Sequence, residues 1–348
     1  MSRAWVIRSG RSGERDEWAL NNGVSGGGWW EIPDLTSATS RELVGHLVAQ
    51  TFPKDSEGRI ANYTGQLWAL RGRIEVGDLL VMPLKTTKQI ALGRVTGGYE
   101  YLAEEPDPNK RHVVRVDWRR TDLPRTAVKQ DLLFTLGSVL SVFSPSRGNA
   151  YRRLERLLAD GVDPGQSSAA VALQPGTEAQ VQDLDDVDAP EQQTDIEEAA
   201  YNQILARISE DFAGHDLATL ITGLLEAQGL NCRQSPPGPD GGIDIVAGRG
   251  VLGLDDPILV QVKSGGAVGH PVVSQLQGVM ASLGARQGLL VAWGGVTKPA
   301  RDALKQNQLS VRVWEAADVV DGVLARYEQL DEDIKAKLPL KRVWMLAE

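Results

Sequence analysis

Hydrophobic and polar positions divide this 348-residue chain into a strand-rich first half and a second half in which helices and strands alternate. In the first half the apolar run at residues 5–8 predicts a strand, and runs at 77–83 and 89–96 predict two more. Residues 112–118 alternate with period two, as a half-buried strand does. Thr39-Ser40-Arg41-Glu42 offers a capped helix start that runs through Val48 and stops before Pro53. Further helices are predicted near residues 60–68 and over 151–158, the latter with Leu154, Leu157 and Leu158 on one side. Short strands with interleaved small helices predict a compact, barrel-like α+β module over residues 1–159.

The second half reads differently. Residues 197–208 form an amphipathic helix with acids in its first turn, and residues 216–227 form another that presents Leu217, Leu220, Ile221, Leu224 and Leu225 and ends at Gly229. Two short apolar runs follow at 243–246 and 258–263. A helix over 272–283, a strand over 287–293, a helix over 298–305, a strand over 310–314 and a helix over 317–327 complete the series. This order predicts an α/β core, a mixed sheet flanked by helices, over residues 198–348. Residues 160–197 lack aromatic residues and sustained periodicity, and they read as a flexible acidic tether.

Charge changes the picture once it is divided. The net charge is −9, but residues 160–198 hold 11 acids and no base, which leaves the remainder at +2. Residues 1–159 carry 23 Lys and Arg against 18 Asp and Glu. The acidity is a property of the tether, so it does not exclude DNA as a partner. A single cysteine, Cys232, excludes an intramolecular disulfide and a thiolate metal cluster. No apolar run is long enough to cross a bilayer and the N-terminus has no signal-peptide core, so the expected location is cytoplasmic.

Candidate chemistry sits on the two short runs. Alternation puts Gln261 and Lys263 on one face of the second strand and Val260 and Val262 on the other. Should the first strand pair beside it, the Asp244 carboxylate, the Gln261 amide oxygen and the Lys263 ammonium converge. A hard cation such as Mg2+ takes oxygen ligands, available from Asp244, the Gln261 side chain, the Val262 carbonyl and substrate phosphates. Lys263 would orient the attacking water or neutralise charge on the phosphate. The alternative is a structural Asp–Lys pair at a sheet edge. Gly238 to Gly242 lacks the spacing of a nucleotide phosphate loop.

Aromatic residues Trp18, Trp29, Trp30, Tyr63, Trp68, Tyr99, Tyr101 and Trp118 enrich the first half. They suit either a core or a pocket that stacks a flipped base. In Trp29-Trp30, on a strand, one ring would face the core and the other the pocket. The segments Trp5 to Gly10, Asn21 to Val24, Gly28-Trp29-Trp30, Gly65 to Trp68 and Val76 to Pro83 resemble the N-terminal region fused to Mrr-type restriction endonucleases. That region is similar in outline to EVE and PUA-like folds, some of which read modified bases. The resemblance implies a PUA/EVE-like barrel and a base or ligand pocket at Asn21, Asn22, Trp29, Trp30 and Trp68.

The second half resembles the Mrr catalytic domain of the PD-(D/E)xK nucleases, in its variant with Gln at the middle acid. The segments that carry it are Leu224 to Leu230, Gly238 to Asp244, Val260 to Lys263, Gln275 to Gly278 and Gly288 to Val291. The resemblance implies that Asp244 binds metal, that Gln261 is the variant position and that Lys263 is the catalytic lysine. It also draws in Asp240, as a supporting acid or part of the turn, and Gln277 on the following helix. One departure is that Ala218 stands where related domains often have Glu; Asp216, His215 and Glu226 are the replacements nearby.

The expectation is an Mg2+-dependent DNA endonuclease, with Mn2+ as a substitute, acting on double-stranded DNA as a modification-dependent (type IV-like) restriction enzyme in phage defence. Two scissions per duplex imply a homodimer or higher oligomer. The alternatives are a nuclease effector gated by a soluble nucleotide and a non-catalytic DNA-binding protein.

Overall fold

The computed structural model describes residues 2–166, 195–236, 242–251, 255–306 and 310–345. The tether expected over 160–197 falls outside the described residues from 167 to 194. The chain divides into two units, Met1–Ala199 and Ala200–Glu348.

In the first unit β1 (Ala4–Ile7), β2 (Val24–Gly26), β3 (Leu79–Pro83), β4 (Gln89–Tyr101), β5 (His112–Pro124) and β6 (Val142–Phe143) form one sheet, ordered β2-β5-β4-β3-β1-β6. The β1–β3 pair is parallel and its other pairings are antiparallel. Its edges are β2 and β6, three and two residues long, too short to close on each other, so the described strands make an open sheet where a barrel was expected. Helices α1 (Asp16–Asn22), α2 (Arg41–Thr51), α3 (Glu57–Trp68), α4 (Gln130–Leu136) and α5 (Ala150–Asp160) complete it. The Ser40 hydroxyl caps α2 by accepting from Leu43 N, and Ser56 caps α3 in the same way through Arg59 N.

Buried charge in this unit is paired. Asp78 accepts from Arg3 N and from Trp5 Nε1, at 2.9 and 3.0 Å. Arg153 lies between Asp131 and Asp163. Glu198, 5% exposed, meets Arg8 at 2.8 Å, Lys85 at 2.7 Å and Arg125 at 2.9 Å. Burial alone would raise the Glu198 carboxyl, but Arg125, Arg8 and Lys85 outweigh it and hold the group far below the ordinary carboxylate range.

The second unit includes most of α6 (Ile196–Asp211), followed by α7 (His215–Glu226), β7 (Asn231–Gln234), β8 (Ile245–Arg249), β9 (Asp255–Lys263), α8 (His270–Leu283) and β10 (Gln287–Ala292). It ends with α9 (Lys298–Gln306), β11 (Val311–Glu315), α10 (Ala316–Arg326) and α11 (Glu332–Lys337). The sheet order is β11-β10-β9-β8-β7, with β9, β10 and β11 parallel and β7, β8 and β9 antiparallel. Leu259, Leu290, Ala292 and Val311 pack with Val273, Leu276 and Met280 of α8 and Ala300 and Leu304 of α9. Alternate buried residues Ile245, Val260, Leu289 and Val291 turn to the opposite face. There α7 packs on β7 and β8, and α10 packs on β11 and α7.

Glu198→Ala leaves three cations facing an empty site and should lower stability by about 3–5 kcal/mol at neutral pH, measured by urea unfolding. Because the folded-state carboxyl is depressed, its stabilisation is complete above the ordinary carboxylate range and fades as pH falls below it. The gap between wild type and variant should therefore narrow in acid. An equal gap at pH 7 and at about pH 3 would contradict this pairing.

Candidate active site

The antiparallel β8–β9 pair aligns Ile245 with Val260 and Val246 with Leu259, so the register carried one step on sets Asp244 opposite Gln261. Residues directly opposite share a face. Asp244 N donates to Val260 O at 2.9 Å, and Asp244 Oδ2 accepts from Val262 N at 2.7 Å. Ser235, just past β7, braces the same turn: its N donates to Asp244 O and its Oγ to Ile243 O, both at 2.8 Å. The carboxylate is thereby fixed to the polar edge of β9.

A groove of about 560 Å3 opens at this point, with Asp244, Val262 and Lys263 in its wall. It lies at the carboxyl end of β9, where open α/β sheets place their ligands. The loop after Lys263 is held from behind: Trp293 N donates to Lys263 O at 2.9 Å, and Val268 exchanges hydrogen bonds with Gly295 and Thr297.

Two helices begin at the groove. Gly214 precedes α7 and Gly269 precedes α8; both glycines line the groove, and neither helix has a side-chain cap. Glycine at both caps leaves the first-turn N–H groups without a side-chain acceptor, and the helix dipoles add positive potential there. With Lys263 alongside, the wall is suited to an anion such as a phosphodiester.

Gln261 is 1% exposed and does not line the groove, and neither its Oε1 nor its Nε2 has a hydrogen-bond partner. Gly242, at φ +89°, passes beside it so closely that a Cβ would lie 2.8 Å from Gln261 Nε2 and 2.9 Å from Gln275 Nε2. A buried amide without partners is costly. A divalent cation fits as the missing partner of Oε1, with Asp244 and the Val262 carbonyl as further oxygen donors. Among the described residues no three acid, His or Cys side chains gather, so the remaining ligands would come from water and phosphate.

The other predicted positions distribute as follows. Asp240 lies outside the described residues. Gln277 is half-buried on α8 and is not in the groove wall; Gln275, which the sequence reading passed over, is the helix glutamine beside Gly242. Ala218 lines the groove and is 1% exposed. Of its suggested replacements, His215 also lines the groove, Asp216 pairs with Lys337 at 3.1 Å, and Glu226 is outside the wall. Burial and the nearby Asp331 raise the Glu226 carboxyl.

In the first unit, Trp29 stands in a left-handed turn at φ +50° rather than on a strand, and it packs with Trp68 around Ile32, Leu35 and Leu67. Trp30 is 58% exposed. Asn21 is exposed on α1, and the Asn22 amide donates to Trp18 O at 2.8 Å. The structure thus joins Trp29 and Trp68 in a core and leaves Trp30 and Asn21 at the surface. His112, 1% exposed, is adjacent through Tyr99, whose hydroxyl is 2.9 Å from its Nδ1.

A helix-flanked mixed sheet with a polar groove at the end of its central strand is the layout of an α/β domain that takes its ligand at the carboxyl ends of its strands. Residues 209–322 match the Mrr_cat family, described as restriction endonuclease. Residues 5–141 match a domain of unknown function (DUF8426). No curated protein matches the chain. Among solved structures it is similar to the DNA modification-dependent restriction endonuclease AspBHI, at 14% identity and a TM-score of 0.32, covering 97% of this chain and 84% of that one. It is also similar to the MspJI restriction endonuclease in complex with a 27-mer oligonucleotide, at 14% identity and TM-score 0.31, with coverages of 96% and 79%. A protein of unknown function, AF1548, matches at 13% identity and TM-score 0.25 over 35% of this chain and 77% of its own.

Gln261→Glu would place a second carboxylate at the buried position. Without metal it should be less stable than wild type by about 1–3 kcal/mol, and Mn2+ should restore more stability to it than to wild type. Thermal unfolding with and without Mn2+ measures both, and an equal response of the two proteins would speak against a cation beside Oε1.

Proposed function

We propose that the second unit hydrolyses phosphodiester bonds of double-stranded DNA with Mg2+, for which Mn2+ substitutes, and that the first unit selects DNA carrying modified bases. The observation that carries this reading is the groove in which Asp244, Lys263 and two uncapped helix starts meet above the unpartnered Gln261 amide. Asp244, the Gln261 Oε1 and the Val262 carbonyl would hold the cation. When bound, that cation would supply Lewis-acid polarisation of the phosphate and a more acidic water. Lys263 orients the water and offsets negative charge on the phosphate, and the N–H groups of α7 and α8 hold its outer oxygens. Asp240, four positions before Asp244 in the sequence, would support it, and Gln277 would act from α8.

For the first unit the reading is a PUA/EVE-like recognition module in which exposed Trp30 would stack on a flipped base and Asn21, Asn22, Trp29 and Trp68 would complete the pocket. Cleavage restricted to modified DNA would suit phage defence, and two scissions per duplex would call for a homodimer.

Purified protein with Mg2+ should cut duplexes containing 5-methylcytosine, hydroxymethylcytosine or 6-methyladenine in preference to unmodified DNA. Asp244→Ala and Lys263→Ala should each lower the rate by roughly a thousandfold or more, with the unfolding temperature near that of wild type in Lys263→Ala and lowered in Asp244→Ala by loss of the acceptor for Val262 N. Cleavage by both variants at the wild-type rate would overturn the assignment. Trp30→Ala should weaken binding of the preferred modified duplex by about 1–3 kcal/mol while leaving binding of unmodified duplex unchanged, measured by fluorescence anisotropy. Equal losses on both duplexes would remove Trp30 from base recognition.

A further inference from the structure

His215 is the first residue of α7 and stands in the groove wall with Asp244 and Lys263. It lies one turn ahead of Ala218, on the same side of the helix. Its place is set on two sides. Gly214, at φ +62°, donates its N–H to Ser264 Oγ at 3.1 Å, which ties the start of α7 to the residue after Lys263. On the other side, Gln234 on the edge strand β7 places its Nε2 at 2.9 Å from His215 Nε2.

The Gln234 amide sits between two hydroxyls. Its Nε2 also lies 3.2 Å from Thr219 Oγ1, and its Oε1 lies 3.4 Å from Thr222 Oγ1, whose proton goes to Ala218 O at 2.9 Å. With the amide so placed, His215 Nε2 is an acceptor. The imidazole proton of the neutral ring is then on Nδ1.

We infer that His215 is a substrate-contacting residue, whose Nδ1–H donates to a non-bridging oxygen of the scissile phosphate, and that Gln234 is the positioning residue that selects this tautomer. The inference deepens the nuclease reading and rests on it. A carboxylate at the Ala218 position would add negative charge to the wall and a ligand for cations; the Ala218 methyl with His215 beside it gives a hydrogen-bond donor to phosphate instead. The site then holds one side-chain carboxylate among the described groove residues and gathers donors around it.

The test uses the full chain, 15N-labelled at histidine, with a short modified duplex in Ca2+, which is expected to support binding without cleavage. In the free protein His215 should carry its proton on Nδ1, and the Nδ1 resonance should shift when the duplex binds. Gln234→Leu should give a mixture of tautomers. His215→Ala should weaken duplex binding about tenfold, and His215→Asn, whose amide nitrogen falls near the Nδ1 position, should recover more of it than His215→Gln.

Mn2+ affinity without DNA should be the same in wild type and His215→Ala. A proton on Nε2 in the wild-type ring, wild-type duplex binding by His215→Ala, or a tenfold loss of Mn2+ affinity in that variant would each overturn the inference. In cleavage assays, inactive wild-type protein would count against the nuclease reading, whereas activity lost in Asp244→Ala but kept in His215→Ala would count against His215 alone.

Discussion

The hydrogen bond from Val262 N to Asp244 Oδ2 is the constraint on which the site depends. A carboxylate at the end of a glycine-containing turn has many rotamers available, and an N–H aimed at it from the neighbouring strand selects one. Because the acceptor belongs to the turn and the donor to the central strand, the bond also fixes the β8–β9 register, and a slip of one residue would send Gln261 and Lys263 to the opposite face. The Ser235 contacts to Ile243 and Asp244 make the same turn rigid from the β7 side.

Several features of the groove region lie near that bond. Gln261 is the one side chain among the described residues with both amide atoms buried and unpartnered, Gly242 is held at positive φ against it, and α7 and α8 start without side-chain caps. In the first unit Asp78, Arg153 and Glu198 are buried, and each has several partners of the right kind, whereas Arg8 Nε, Arg120 Nε and Glu155 Oε1 are buried without a hydrogen-bond partner among the described residues. What sets Gln261 apart is that both ends of one buried amide lack a partner, directly across the strand pair from Asp244 in the groove wall.

Much of the second unit was legible in the sequence because its core positions are strongly periodic. Leu217, Leu220, Ile221, Leu224 and Leu225 mark α7, and the apolar run through Val262 marks β9. What was missed lacked such a signal. β7 reads Asn-Cys-Arg-Gln, an edge strand with no apolar face, and its contribution comes from Gln234 and the neighbouring Ser235. Gly214 and Gly269 carry no signal of their own, because glycine punctuates loops and caps helices alike. Strands β4 and β5 were predicted short since β4 beyond residue 96 and β5 beyond residue 118 are largely polar and half-exposed. The Trp29-Trp30 doublet does place one ring inside and one outside, but through a left-handed turn that no alternation rule anticipates.

Gln261 also shows why residue type alone could not decide the chemistry. On a solvated strand a glutamine is a weak ligand, because water satisfies its amide as well as a cation does. At 1% exposure water is absent from the comparison, and the alternative to a ligand is an empty coordination of both amide atoms. The desolvation already incurred in folding makes the same side chain a stronger donor toward any cation that reaches it. Burial, set by the packing of Leu259, Leu276 and Leu290, is therefore what would let an intrinsically poor ligand serve in the proposed cation site. Periodicity indicates which face a residue occupies, whereas its solvation depends on a core assembled from distant parts of the chain.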